Sequence, residues 1–167
     1  MSPRVIFYIG PGKGKTTAAI GLAVRAAGNN LQTRIVQFIK AQETGEVTFI
    51  QSLKSEYIQI IQTGAGFCFE KNEDHKEGAI FGISKAEDAL ALPKTSILVL
   101  DEVFDALFCG LVTTQQILGL ITKAKANRKH IVLTGHNAPV ELFPLADVIT
   151  FFTSIRHDIL CDKGIEF

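Results

Sequence analysis

The chain carries no surplus of either charge: 17 Lys+Arg meet 17 Asp+Glu. Electrostatics therefore gives no case for nucleic acid or an anionic membrane as partner. Cysteine is scarce, and Cys68, Cys109 and Cys161 lie far apart with no C-x-x-C. That spacing argues against a zinc site or a disulfide framework and for a reducing, cytoplasmic setting. No apolar run reaches the ~18 residues of a membrane span. Met1 to Arg4 leads straight into an apolar stretch without the pattern of a signal peptide. Repeats, low-complexity segments and interdomain linkers are also missing. The expectation is one domain spanning residues 1–167, long enough for a real core. Basic residues gather only locally, at the loop described next and at Lys123, Lys125, Arg128 and Lys129. The second group reads as the solvated end of a helix, where the macrodipole favours cations.

What the chain does have is Gly10-Pro11-Gly12-Lys13-Gly14-Lys15-Thr16-Thr17, between the apolar run Val5–Ile9 and a helical pattern starting at Lys15. Strand, glycine loop and helix form the context of a phosphate-binding loop. Glycines let backbone N–H groups turn inward around an anion, and the helix N-terminus adds positive partial charge. Lys15 can reach phosphate oxygens, and the Thr16 hydroxyl can ligate Mg²⁺. A nucleoside triphosphate is the expected ligand. The usual spacing is G-x-x-x-x-G-K-[ST], which would place the first glycine where Ile9 stands. Gly10 comes one residue too close to Gly14, and Lys13 lies inside the loop. The shorter loop is suited to an altered pose of the triphosphate.

Short apolar runs alternate with amphipathic stretches. The expected strands are Val5–Ile9, Arg34–Ile39, Tyr57–Gln62, Ile97–Leu100, His130–Thr134 and Val148–Phe152. The expected helices are Lys15–Ala27, Glu46–Ser55, Asp74–Ala91, Thr114–Ala126 and Val140–Ala146. The alternation predicts an α/β protein, a three-layer phosphate-loop NTPase (RecA-like) fold with a mainly parallel central sheet. In such folds ligands sit beyond the carboxyl ends of the strands.

Several strand-end residues are candidates on that basis. Asp101 and Glu102 close a buried strand, where an acid directed at a metal belongs in a phosphate-loop protein. Otherwise they are solvated acids at a helix N-terminus. Gln37 and Lys40 end the second strand, and Lys40 is either a triphosphate contact or a solvated loop lysine. Arg25 either complements the helix dipole or reaches the nucleotide. Phe67 and Phe69, in the glycine-containing loop after the third strand, are either core plugs or a platform for a flat ligand. Thr134-Gly135-His136-Asn137 reads as another loop lining the site. No Ser/His/Asp or Cys/His nucleophile arrangement is present, which favours positioning of substrates over covalent attack.

Taken in order, GPGKGKTTAAIGLAVRAAG, IVQFIKA, TGAGFCFE, VLDE, LTGHNAP, ADVIT and KGIEF resemble the phosphate-loop-type ATP:cob(I)alamin (corrinoid) adenosyltransferases, over nearly the whole chain. The resemblance implies transfer of the 5′-deoxyadenosyl group of ATP to the Co(I) of a reduced corrinoid, as in cobalamin biosynthesis, with release of triphosphate. It implies ATP bound in a reversed sense, with Gly10, Pro11, Gly12, Lys13, Gly14, Lys15, Thr16 and Thr17 around the triphosphate. Arg25, Gln37, Lys40 and Asn137 would be further contacts. It associates Thr16, Asp101 and Glu102 with Mg²⁺, and it makes Phe67 and Phe69 the pair that crowds the lower face of the corrinoid. A homodimer and a flavoprotein-type reductant are implied partners. Phe69 stands where many members carry Trp, Pro11 replaces Asn, His136 replaces Arg, and the tail after Arg156-His157 is shorter. A phosphate-loop ATPase or kinase, or a non-catalytic nucleotide- or corrinoid-binding protein, are the alternative readings.

Overall fold

A computed structural model describes residues 2–66, 72–156 and 164. The elements run β1 (Val5–Ile9), α1 (Lys15–Ala27), β2 (Gln32–Gln37), α2 (Gly45–Ser52), β3 (Ile58–Gln62), α3 (Glu73–Ala91), β4 (Thr95–Asp101), α4 (Val103–Phe108), α5 (Thr114–Ala126), β5 (His130–Gly135), a 3-10 helix (Val140–Leu145) and β6 (Val148–Phe151). The six strands form one sheet in the order β3-β2-β4-β5-β1-β6. Every neighbouring pair is parallel.

Alternation along the strands feeds two cores. Val5, Phe7 and Ile9 of β1 and Leu98 and Leu100 of β4 face the side covered by α3, α4 and α5. Ile97 and Val99 of β4 face Ala19, Ala23 and Ala26 of α1, with Ile50 of α2. Sheet strands buried on both faces read as continuous apolar runs, which is why β4 was visible as Ile97-Leu98-Val99-Leu100. Leu98, Val99 and Leu100 are 0% exposed, and burying side chains of this size contributes about 1.5–3 kcal/mol each. The result is the expected three-layer α/β architecture, with the sheet wholly parallel.

Four expectations are corrected. The helix α4 was not anticipated: six apolar-rich residues are too few to show a 3.6-residue period. The segment from Val140 is a 3-10 helix, because Pro144 within it cannot donate an α-helical bond. Lys129 is not at a solvated helix end. It is buried and its ammonium donates to the Leu92 carbonyl, and burial lowers its pKa. Finally, Cys109 is disulfide-bonded, which the absence of a C-x-x-C spacing did not suggest.

The topology gathers strand ends. Gln37 pairs in register with Asp101, and Leu100 with Leu133, so Asp101 and Thr134 are adjacent at the next step. Tyr8 pairs with Thr134 and Ile9 with Gly135, which brings the loop after β1 to the same edge.

Candidate active site

The glycine loop turns at Gly10 (φ 118°) and Gly14 (φ 102°), both in the left-handed region. It is pressed against the segment that follows β6. A Cβ at Gly10 would lie 2.2 Å from the Phe152 carbonyl oxygen, and one at Gly12 would lie 2.8 Å from the Thr153 nitrogen. The Gly10 N–H donates to the His136 carbonyl (2.9 Å) and the Gly12 N–H to the Phe152 carbonyl (2.9 Å). Those two groups serve to fix the loop, and Pro11 has no N–H to offer. The N–H groups of Lys15, Thr16 and Thr17 open α1 without intrahelical acceptors, so the anion-binding character resides there. The Lys15 ammonium is folded back over the loop and donates to the carbonyls of Gly10 (2.7 Å) and Gly12 (2.8 Å). Burial lowers its pKa, while the charges of Asp105, Glu102 and Asp101 oppose that shift.

Beside the loop lies a cavity of about 680 Å³. Of the expected site residues, Lys13, Gly14, Lys15, Thr16, Thr17, Lys40 and Glu102 line it. Gln37 and Asp101, 0% and 1% exposed, lie beneath its floor. Arg25 is in the last turn of α1 and exposed, outside the lining, and so is Asn137. Phe67 and Phe69 lie outside the described residues.

Asp101 is the hub beneath the cavity. It accepts from Thr16 Oγ1 at both carboxylate oxygens (3.1 Å each), from Gln37 Nε2 (2.9 Å) and from Thr134 Oγ1 (2.7 Å). Thr134 Oγ1 also accepts the Glu102 N–H at 2.8 Å. That bond helps hold Glu102 in a left-handed conformation, φ 60°, which costs a non-glycine residue about 1–3 kcal/mol. The strained turn ends β4 and starts α4, and Glu102 Oε2 is buried there without a hydrogen-bond partner. Lys40 Nζ stands 3.8 Å from Glu102 Oε1.

Burial, and then the Asp101 charge, push the Glu102 carboxyl up to about 7 from its ordinary 4.5. Between those values the folded chain binds more protons than the unfolded one, so this group's contribution to stability falls as pH rises through that window. The penalty above pH 7 is about 3 kcal/mol. Thermal melts of wild type and Glu102→Gln at about pH 5 and about pH 8 check this. The wild type is expected to lose stability relative to the variant as pH rises; parallel behaviour would refute it.

Sequence reasoning missed Glu46 and Asp105, which also line the cavity. Asp105 projects from the unanticipated α4 and accepts from the His136 backbone N–H (3.2 Å), with His136 Nδ1 at 2.7 Å from the same oxygen. Its Oδ2 is a second buried carboxylate oxygen with no partner. Glu46 sits in the first turn of α2; its position after a glycine was the only signal available. Thr134 was within a loop expected to line the site, but its bridging role depends on β5 lying beside β4.

The residues present fit a magnesium ion in one respect. Mg²⁺ takes one or two protein oxygens and completes its shell with water and phosphates, and Thr16 Oγ1 and the orphaned Glu102 carboxylate face one cavity. Among the described residues no group of three or more His, Cys, Asp or Glu side chains forms a ready metal cage.

A glycine loop between β1 and α1, and an acidic β4 end separated from β1 by the intervening β5, define a phosphate-loop nucleotide-binding protein. Residues 2–167 match the family described as ATP:corrinoid adenosyltransferase BtuR/CobO/CobP, and the chain belongs to that family. It is 33% identical over 175 residues to a corrinoid adenosyltransferase of Pseudomonas aeruginosa (strain PAO1), covering 98% of this chain and 83% of the relative. With a corrinoid adenosyltransferase of a Sinorhizobium species it shares 31% identity over 170 residues, 98% of this chain and 79% of the other. With corrinoid adenosyltransferase CobA of Salmonella typhimurium (strain LT2) the identity is 27% over 163 residues, covering 97% and 81%.

Proposed function

We propose that this protein transfers the 5′-deoxyadenosyl group of ATP to the Co(I) of a reduced corrinoid. The observation that carries this reading is the shortened, pinned glycine loop beside a cavity with an acidic wall, in a chain of the corrinoid adenosyltransferase family. The cobalt electron pair attacks C5′, the C5′–O bond breaks, and its pair leaves on the triphosphate. The nucleophile comes with the substrate, so the site needs no nucleophilic side chain; its task is to orient ATP and stabilise the departing charge.

Lys15 and the N–H groups of Lys15, Thr16 and Thr17 are suited to hold the triphosphate. Thr16 and Glu102 would hold Mg²⁺, which would neutralise phosphate charge there, while Asp101 orients Thr16 from below. Phe67 and Phe69 would crowd the lower corrinoid face, favouring the four-coordinate cobalt that is easier to reduce. Arg25 is exposed and outside the cavity lining, and its nucleotide contact is carried by the family resemblance. A flavoprotein-type reductant would supply the electrons. No helix of the described residues is long and apolar enough to cross a membrane. The proposed setting is cytoplasmic, because Co(I) requires reducing conditions; the disulfide at Cys109 means that the cysteines no longer support that placement.

An anaerobic assay with Mg-ATP and chemically reduced cob(I)alamin tests the reading. The expected products are a light-sensitive cobalt–carbon species and triphosphate. ADP as the main product would move the chain to the ATPase or kinase class, and nucleotide binding without alkylation would make it a carrier. Repeating the assay on Phe69→Ala with pre-reduced and with in situ reduced corrinoid addresses the aromatic pair. Only the in situ reaction is expected to slow, and equal slowing would remove the ligand-expulsion role.

A further inference from the structure

The ammonium of Lys40 sits among acids contributed by α2 and the end of β4, beside Thr16 of α1. Its Nζ is 3.3 Å from Thr16 Oγ1, 3.8 Å from Asp101 Oδ2, 3.8 Å from Glu102 Oε1 and 3.9 Å from Glu46 Oε1. Thr16 Oγ1 and the Glu102 carboxylate are the groups assigned above to the divalent metal, and Asp101 and Glu46 add negative charge beside them. Lys15, another cation close by, donates instead to the loop carbonyls of Gly10 and Gly12. We infer that Lys40 is a resident counter-cation: it fills the metal position while the nucleotide is away and moves onto the polyphosphate when the nucleotide arrives.

Three observations carry this. First, the acids are close enough to repel one another. Carboxylates of Asp101, Glu102 and Glu46 all come within 3.9 Å of the one Lys40 Nζ, so a cation is needed among them whether or not a metal is present. Second, Lys40 is held by the field more than by fitted bonds. Among the described residues only Thr16 Oγ1 is at hydrogen-bonding distance, and the three carboxylates are at ion-pair distance. A four-carbon stem carrying a point charge can leave such a place without breaking a fixed geometry. Third, Lys40 lines the same cavity as Lys13, Lys15 and Thr16, so its ammonium has a path to phosphate oxygens bound there. An ammonium and a divalent cation cannot share one small ring of oxygens, because their charges repel at contact distance. Metal binding without nucleotide therefore has to expel Lys40 into water. With nucleotide bound, the phosphates receive it.

Lys40 thereby acts as a positioning residue that makes metal binding conditional on polyphosphate. The second half of this inference rests on the nucleotide reading above; the first half does not.

Manganese is the probe, with free Mn²⁺ counted by electron paramagnetic resonance in the absence of corrinoid, so that no turnover is involved. Without nucleotide, Lys40→Met is expected to bind Mn²⁺ at least about tenfold more tightly than wild type, because a neutral side chain of similar length leaves the acids uncompensated. Lys40→Arg retains the charge and is expected to stay near wild type. With saturating ATP the affinities of wild type and Lys40→Met are expected to converge. Equal Mn²⁺ affinity of wild type and Lys40→Met without nucleotide overturns the inference, as does an Arg variant that behaves like the Met variant. If ATP gives wild type no gain in Mn²⁺ affinity, the nucleotide reading itself fails, and the nucleotide-free comparison still decides the counter-cation role.

Discussion

Lys15→Ala is expected to lower kcat/KM for ATP by about 10²–10³-fold, with the fold intact. When the C5′–O bond breaks, negative charge grows on the departing triphosphate, and an ammonium that turns from the Gly10 and Gly12 carbonyls onto it binds the transition state more tightly than the ground state. Removing one preorganised group of this kind costs about 3–4 kcal/mol of transition-state stabilisation. The structural cost is small by comparison. Among the described residues Lys15 donates only to the carbonyls of Gly10 and Gly12, and the loop keeps its backbone bonds to His136 and Phe152. Steady-state kinetics with pre-reduced corrinoid, together with a thermal melt, separate the two effects. Activity within about threefold of wild type would remove the loop lysine from the mechanism. A large fall in Tm would show that the loss is one of folding.

Asp101→Asn is expected to have the opposite profile, with stability and activity lost together. The carboxylate receives hydrogen bonds from Thr16, Gln37 and Thr134 and donates none. An amide of the same shape must point its NH₂ either at the Gln37 amide, donor against donor, or at the Thr134 hydroxyl, which can accept it but then has to send its own O–H elsewhere. Each buried polar group left unsatisfied costs about 1–3 kcal/mol. Relief of repulsion with Glu102 offsets part of this, because Asp101 contributes to raising that carboxyl. A net loss of about 2–3 kcal/mol is the expected balance. For a chain of this size it corresponds to a drop in Tm of roughly 5–10 °C. Thr134 would also lose its acceptor, so the Glu102 turn loosens and metal-dependent nucleotide binding weakens. An Asn variant with unchanged Tm and unchanged Mg-ATP affinity would mean that the hub is not what holds the site.

Local chemistry accounts for the parts of the molecule that were readable along the chain. A run such as Val5–Ile9 followed by glycines and Lys15-Thr16 carries its strand, turn and helix within a dozen or so residues, and α1 begins and ends where the pattern says. The helix α5 also spans the expected Thr114–Ala126, and in the structure Thr113 and Gln116 form a capping box at its start. Boundaries shifted where tertiary pairing overrode local preference. β2 starts at Gln32 because it pairs with Thr95 of β4 there, through a register irregularity next to Thr33. Lys40 was left open between a ligand contact and a solvated lysine, and its surroundings come from α1, α2 and the end of β4, none of which is near it in sequence.

Sequence by itself determined that this protein binds a phosphate chain and belongs among three-layer α/β proteins, because glycine conformations, helix starts and apolar periodicity are properties of neighbouring residues. Only the tertiary structure decided which donors Asp101 receives, that Glu102 is strained and carries a raised pKa, that Asp105 meets His136, and that Lys40 lies amid the acids. Those features depend on the strand order β4-β5-β1 and on a parallel register that sets Gln37, Asp101 and Thr134 side by side. Burial and charge then act across distances of a few ångströms between residues up to a hundred positions apart along the chain, and no local pattern records those distances.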